Sequence, residues 1–195
     1  MWWDSPKSRR YILKNLYLIC GKSGSGKTYV TEKLHDEYGY AILKSYTTRK
    51  PRHPSDDDHT YVTVSDYYDA KSDGVIAASS CYDYNFYWAT KEQILNADLY
   101  VINKEGILQL IDESNNDIKR NYVIIYFDST EDTRMKNMRL RGDTSKKINN
   151  RIEEDGGDAF IGIEHLADFI IDGDNMNKWV IVKDIIDKCE ALEEK

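Results

Sequence analysis

Eight consecutive residues carry the clearest chemistry in the chain: Gly21-Lys22-Ser23-Gly24-Ser25-Gly26-Lys27-Thr28 satisfies the spacing G-x-x-x-x-G-K-[ST] throughout. Average residue usage produces that spacing by accident in roughly one chain of this length in 150, so the match carries weight. The glycines let a backbone wrap closely around an anion, with N–H groups and a helix N-terminus pointing at it. On this reading Gly21, Ser23, Gly24, Ser25, Gly26, Lys27 and Thr28 cradle a nucleoside triphosphate. Lys27 reaches the β- and γ-phosphates, and the Thr28 hydroxyl ligates Mg2+. Such a loop implies the triphosphate without saying what is done with it.

A second constellation is Thr47-Thr48-Arg49-Lys50-Pro51-Arg52. Proline biases Lys50 toward extended backbone, so Arg49 and Arg52 sit on a stiff, non-helical segment. Two guanidinium forks held this way can grip one phosphate dianion, with a solvated basic loop as the competing reading. The following Asp56-Asp57-Asp58 reads either as a solvated turn or as the source of a carboxylate for the same site. His35, His53, His59 and His165 form no ligand spacing, and no catalytic histidine is expected. Cys20, Cys81 and Cys189 are odd in number and lack metal-type spacing, which predicts three separate thiols.

The elements that must hold these groups alternate as strands and helices, the pattern of an α/β protein with a parallel sheet. The apolar run 16–20 (LYLIC) ends at the glycine loop, and 28–38 has helical spacing, with Val30 and Leu34 one turn apart. A short strand is expected at 41–45, followed by a polar loop. The segments 59–64, 75–79 and 82–87 are rich in β-formers, which predicts a small antiparallel insertion around a helix at 66–71. The βα rhythm then resumes: helix 90–96, strand 98–103, helix 105–113 and strand 122–127 (YVIIYF). Asp128, Ser129 or Thr130 can cap a helix running to about 140. A helix from about 148, a short strand at 169–171 and a helix at 177–192 complete the chain. The terminal helix reads as a cover for the sheet, and Trp2 and Trp3 as a frayed or packed terminus.

Composition bounds the partners. The 195 residues carry net charge −7, which argues against a general nucleic-acid surface but not against a local cation cluster for a small anion. No run approaches the roughly 20 apolar residues of a membrane span, and no apolar signal region opens the sequence, so a soluble, cytoplasmic protein with no membrane partner is expected.

With these residues in view, the chain resembles the guanylate kinase family. The resemblance runs from the glycine loop through SYTTRKPR (45–52), Tyr61, NFYWATKEQI (85–94), VINKEG (101–106) and the segment around RLRGDTSKKINNR, and covers most of 16–175. It implies a P-loop NTPase-type, three-layer α/β core with a parallel sheet (about 11–45 and 90–195), an inserted α/β lobe for a nucleoside monophosphate (about 46–89) and a helical lid (about 137–155). By position it assigns Arg49, Arg52, Tyr61 and Tyr87 to the acceptor phosphate and Ser45 to the acceptor base. Arg141 and Arg151 match lid arginines over the transferring phosphoryl group, so that Lys27, Arg49, Arg141 and Arg151 form the catalytic set. Asp172 falls at the donor-base contact and reads equally as a capping or turn residue.

The same comparison marks departures. Ala78, followed by Ser79 and Ser80, stands where the family places a glutamate for guanine; Ser55 replaces a second glutamate and Asn103 an aspartate. Asn137 occupies a third lid-arginine position, with Arg139 two residues away. Trp88 replaces a glycine and either reshapes the acceptor pocket or packs the inserted lobe. The resemblance implies transfer of the γ-phosphoryl of MgATP to a nucleoside monophosphate, GMP or dGMP first, by a monomer or homodimer. A non-catalytic nucleotide- or protein-binding module and a kinase for a different phosphorylated small molecule are the alternatives.

Overall fold

A computed structural model describes residues 13–52, 54, 56–112 and 118–193. Trp2, Trp3, His53 and Ser55, singled out above, and residue 113 at the end of the helix expected at 105–113 lie outside the described residues. Four strands form a parallel sheet in the order β6-β1-β7-β8: β1 is Asn15–Gly21, β6 Leu99–Val101, β7 Asn121–Asp128 and β8 Phe169–Asp172. The runs LYLIC and YVIIYF are continuous rather than alternating because both sheet faces are covered. On one face Leu16, Leu18, Cys20, Ile124 and Tyr126 pack with Ile107 and Leu110 of α4 (Lys104–Ile111). On the other, Tyr17, Ile19, Val123, Ile125 and Phe127 meet Val30 and Leu34 of α1 (Lys27–Tyr38) and Val182 and Ile186 of α7 (Lys178–Leu192). The result is a three-layer α/β core of P-loop type, as expected. The cysteines are free thiols, and among the described residues no helix is long and apolar enough to cross a membrane.

The expected strand at 41–45 shrinks to a single parallel bridge between Ile42 and Leu99. Asp98 Oδ2 accepts the Ala41 N–H (2.7 Å), and the chain then leaves this sheet to build a second one. That sheet has the order β3-β2-β5-β4, with β2 Tyr46–Thr47, β3 Thr60–Tyr61, β4 Ile76–Tyr82 and β5 Asn85–Thr90. It is mixed rather than antiparallel: β2 and β3 run parallel because the long loop 48–59 carries the chain back across the lobe. The β4–β5 hairpin turns at Asp83 and Tyr84, both left-handed (φ 48° and 57°), later than the strand break expected after Ser79. Helix α2 (Val64–Ser72) is closed by a Thr63/Asp66 capping box, and α3 (Lys91–Asn96) by Thr90/Gln93.

Trp88 is a packing residue of this lobe. It is 2% exposed, stacks on Tyr46 at 5.4 Å and meets the Tyr67 ring edge-on at 5.2 Å. Trp88→Ala should therefore destabilise the protein by about 3–5 kcal/mol in urea unfolding. A loss below about 1 kcal/mol would contradict the packing role.

Helices α5 (Glu131–Leu140) and α6 (Ser145–Asp155) form a hairpin against the glycine loop. Thr130 is the cap that α5 uses, and Thr144 starts α6 before the expected Ile148.

Candidate functional site

The glycine loop joins β1 to α1, and its shape explains its glycines. Gly24 has φ +80°, and a Cβ there would lie 2.5 Å from the Arg134 carbonyl oxygen; Gly26 has φ +90° and caps α1 without a side-chain hydrogen bond. Among the described residues no side chain hydrogen-bonds that helix end as a cap, so the first-turn N–H groups of α1 stay available to an anion. Lys27 Nζ folds back to donate to the carbonyls of Gly21 (2.6 Å) and Lys22 (3.0 Å). Desolvation among these groups, with the Arg141 and Arg151 charges adding to it, pulls the Lys27 pKa down to about 8.

A cavity of about 1290 Å3 opens from this loop to the second sheet. Gly21, Ser23, Gly24, Gly26, Lys27 and Thr28 line its near end. Ser45, Arg52, Ala78, Tyr87 and Asn103 line the far side, and Arg141 and Arg151 of the helical hairpin reach it as well. Three expected residues lie behind this surface: Ser25, which is fully buried, Arg49 and Tyr61. Asp172 lines a separate depression with Asp128, Ser129 and Thr130, where its carboxylate accepts the Asp174 N–H (2.9 Å) as a turn residue does.

The arginine pair is held by the acidic run. Arg49 donates to Asp56 (3.2 Å) and to the Tyr61 hydroxyl (3.2 Å); Arg52 donates to Asp58 (3.2 Å), and its backbone N–H to Asp56 (2.8 Å). Burial opposes ionisation of Asp56, yet hydrogen bonds from Tyr61, the Arg52 N–H and Arg49 hold its carboxyl well below the usual range. Asp57 pairs outward with Lys44 (2.6 Å). Burial, then the charges of Arg49, Arg141 and Arg151, pushes the Arg52 pKa down, a sign that these cations converge on one space. The Nε atoms of Arg49 and Arg52 are buried and have no hydrogen-bond partner among the described residues.

Ala78, Ser79 and Asn103 line the cavity beside Lys104 and Glu105. Ala78 is 1% exposed, and Ser79 is tied through its backbone to the Gln109 amide of α4. Asn103 lines the cavity while its Oδ1 caps α4 by accepting the Gly106 N–H (2.9 Å).

Four residues that the sequence reading did not place here belong to the surroundings. His59 shares a hydrogen bond with Ser45 (2.9 Å) and packs edge-on against Tyr61 and Tyr87. Lys178 is 6% exposed, donates to the Gly173 carbonyl and lies against Gly26. Arg134 and Asp155 form a buried ion pair beneath the loop. The one available signal was on α5, where Arg134 and Asn137 share a face at i, i+3. Arg139 is exposed and does not line the cavity.

Burial, with the Arg49 charge next, holds the His59 pKa down at about 4 against an ordinary 6.5. The folded value lies below the unfolded one, so the unfolded chain binds more protons between about pH 4 and 6.5, and stability rises with pH across that window. His59→Gln should flatten this dependence: the Tm difference between about pH 4.5 and 7 shrinks relative to the unaltered protein. Identical differences would contradict the assignment.

No family model matches the sequence, and a search of curated proteins returned no match. Among solved structures, guanylate kinase from Anaplasma phagocytophilum superposes with a TM-score of 0.63 at 15% identity, covering 92% of this chain and 88% of that one. Identity at that level speaks for architecture alone, and the architecture, an α/β core with a parallel sheet, a glycine loop and a second small sheet, is the guanylate-kinase-like fold.

Proposed function

We propose that the chain is a nucleoside monophosphate kinase that transfers the γ-phosphoryl of MgATP to a (d)NMP. The observation that carries this reading is the convergence of Lys27, Arg52, Arg141 and Arg151 on one cavity that is open to both the glycine loop and the second sheet. A loose phosphoryl-transfer transition state gains mainly from alignment and from cations around its equatorial oxygens, and this arrangement supplies both.

In this reading the glycine loop and the α1 N-terminus hold the donor phosphates, with Lys27 released from its loop carbonyls to meet them. Arg52 and Tyr87 meet the acceptor phosphate from the cavity wall, and Arg49 and Tyr61, joined to each other and to Asp56 behind it, add the second guanidinium of the grip. One of the acceptor phosphate's anionic oxygens attacks the γ-phosphorus as the bond to the ADP oxygen breaks, so no side chain need remove a proton. Arg141 and Arg151 neutralise the charge on the moving group. The exposed Thr28 hydroxyl at the start of α1 is a hard oxygen donor facing the cavity and fits Mg2+, which prefers one or two protein oxygens plus phosphate and water. When bound, Mg2+ would withdraw charge from the donor phosphates.

Ala78 brings no hydrogen-bonding side chain and the Asn103 Oδ1 is engaged by the Gly106 N–H, so neither position supplies a carboxylate for the guanine N–H groups. GMP and dGMP are therefore the first acceptors to test but not the only ones. A coupled assay with MgATP against all common NMPs and dNMPs, with a no-acceptor control, tests the reading. Acceptor-dependent ADP release with at least one nucleotide is expected. Silence across the panel with ATP binding retained would favour the non-catalytic module or a different phosphorylated acceptor.

A further inference from the structure

The hairpin that carries Arg141 and Arg151 is fastened directly to the glycine loop. Asp155 Oδ2 accepts the Ser23 N–H at 2.7 Å and an Nη hydrogen of Arg134 at 3.0 Å. The two side chains are 7% and 5% exposed. Asn137 Nδ2 donates to the Gly24 carbonyl (2.8 Å), the Arg134 backbone lies against Gly24, and Arg151 reaches the Ser23 hydroxyl at 3.4 Å.

This placement is not what α6 would choose alone. Asp155 is the last residue of the helix, where the dipole is negative and no basic residue of the last turn offsets a carboxylate. A buried ion pair seldom adds stability over an apolar pair of similar size, so its presence calls for another role. Its third partner is a backbone N–H of the loop itself.

We infer that Asp155 is a positioning residue: oriented by Arg134, it pins the Ser23 backbone and thereby registers the arginine-bearing hairpin on the phosphate loop before any nucleotide arrives. This rests on the proposed donor site but not on the acceptor. Pinning the loop sets the spacing between its N–H groups and Arg151, so the donor phosphates meet a preformed set of donors. Losing the pin weakens donor binding and the chemical step and leaves acceptor binding alone.

The test compares two charge-free versions of the pair. Arg134→Met with Asp155→Asn keeps an oxygen for the Ser23 N–H; Arg134→Met with Asp155→Ala removes it. Titration calorimetry with MgATP should place the Asn version within about threefold of the unaltered protein and the Ala version about tenfold or more weaker, with acceptor KM unchanged in both. Equal MgATP affinity in the two versions would overturn the inference. Hydrogen exchange on the unaltered protein gives a readout independent of variant folding. The Ser23 amide should be protected without nucleotide, and unprotected exchange would overturn the inference as well. Because MgATP binding needs no acceptor, a protein that binds MgATP with this pattern but phosphorylates nothing refutes the kinase reading and leaves the pin standing.

Discussion

Lys27→Ala should reduce kcat for phosphoryl transfer by about a thousandfold while the far-UV CD spectrum and unfolding midpoint stay near those of the unaltered protein. The side chain does two things at once. Its Nζ holds the Gly21 and Lys22 carbonyls in the ligand-free loop, and in the proposed reading it meets the β- and γ-phosphates. Both losses fall on the donor, so the acceptor KM should hardly change.

The lowered pKa adds a signature in pH. Ligand-free Lys27 gives up its proton as pH rises through about 8, so MgATP affinity should fall above that value, by up to about tenfold per pH unit. The folded value lies below the unfolded 10.5, so between those limits the unfolded chain binds more protons and the Lys27 contribution to stability rises with pH. Affinity and stability should thus move in opposite directions over this window. Calorimetric MgATP titrations and chemical unfolding at several pH values would check it, and affinity flat through pH 9 would contradict the role of Lys27.

Arg52→Ala should raise the acceptor KM by about 10- to 100-fold and lower kcat, with MgATP affinity within about twofold. Arg52 is the cleaner of the two arginine probes. Its partner Asp58 is 33% exposed and stays hydrated when the guanidinium goes. Removing Arg49 instead strips a partner from Asp56, whose side chain is 2% exposed, so Arg49→Ala should combine a similar kinetic loss with a stability loss of a few kcal/mol. Steady-state kinetics at saturating MgATP, together with urea unfolding, separates the two. An acceptor KM unchanged in both variants would remove the phosphate grip from the account.

The parts of the fold legible from sequence are those whose physics is local. The glycine loop needs its residue types in that order, and the runs LYLIC and YVIIYF need no partner to declare two-sided burial. Thr130, one of three candidate caps, caps the helix that follows it because the hydrogen bond involved spans only three residues. What was hidden depends on partners far along the chain. The bridge at Ile42 pairs with Leu99, and Ala41 with the Asp98 carboxylate, both far along the chain, and the hairpin turn at Asp83 and Tyr84 lacks the glycine or asparagine that usually marks left-handed backbone.

The site shows the same division. Motif spacing names Lys27, Thr28 and Arg52, the family resemblance alone adds Arg141 and Arg151, and all five line the cavity. Arg134 and Asp155 were not, because their ion pair joins two helices and neither residue is informative alone. The acidic run reads equally as a solvated turn or as a carboxylate source, and only the fold makes Asp56 the buried anchor of both arginines while Asp57 faces outward. His59 lacked any ligand spacing and enters only because the β2–β3 loop folds it against Ser45.

The central claim is that the γ-phosphoryl group moves to a nucleotide rather than to water. The most direct test supplies ATP labelled at the γ-phosphorus, Mg2+ and each NMP or dNMP in turn, and follows where the label goes. Label is expected in a nucleoside diphosphate, dependent on the acceptor, and strongly reduced with Lys27→Ala and, at subsaturating acceptor, with Arg52→Ala. Label released only as inorganic phosphate, or retained in ATP with every acceptor, would contradict it.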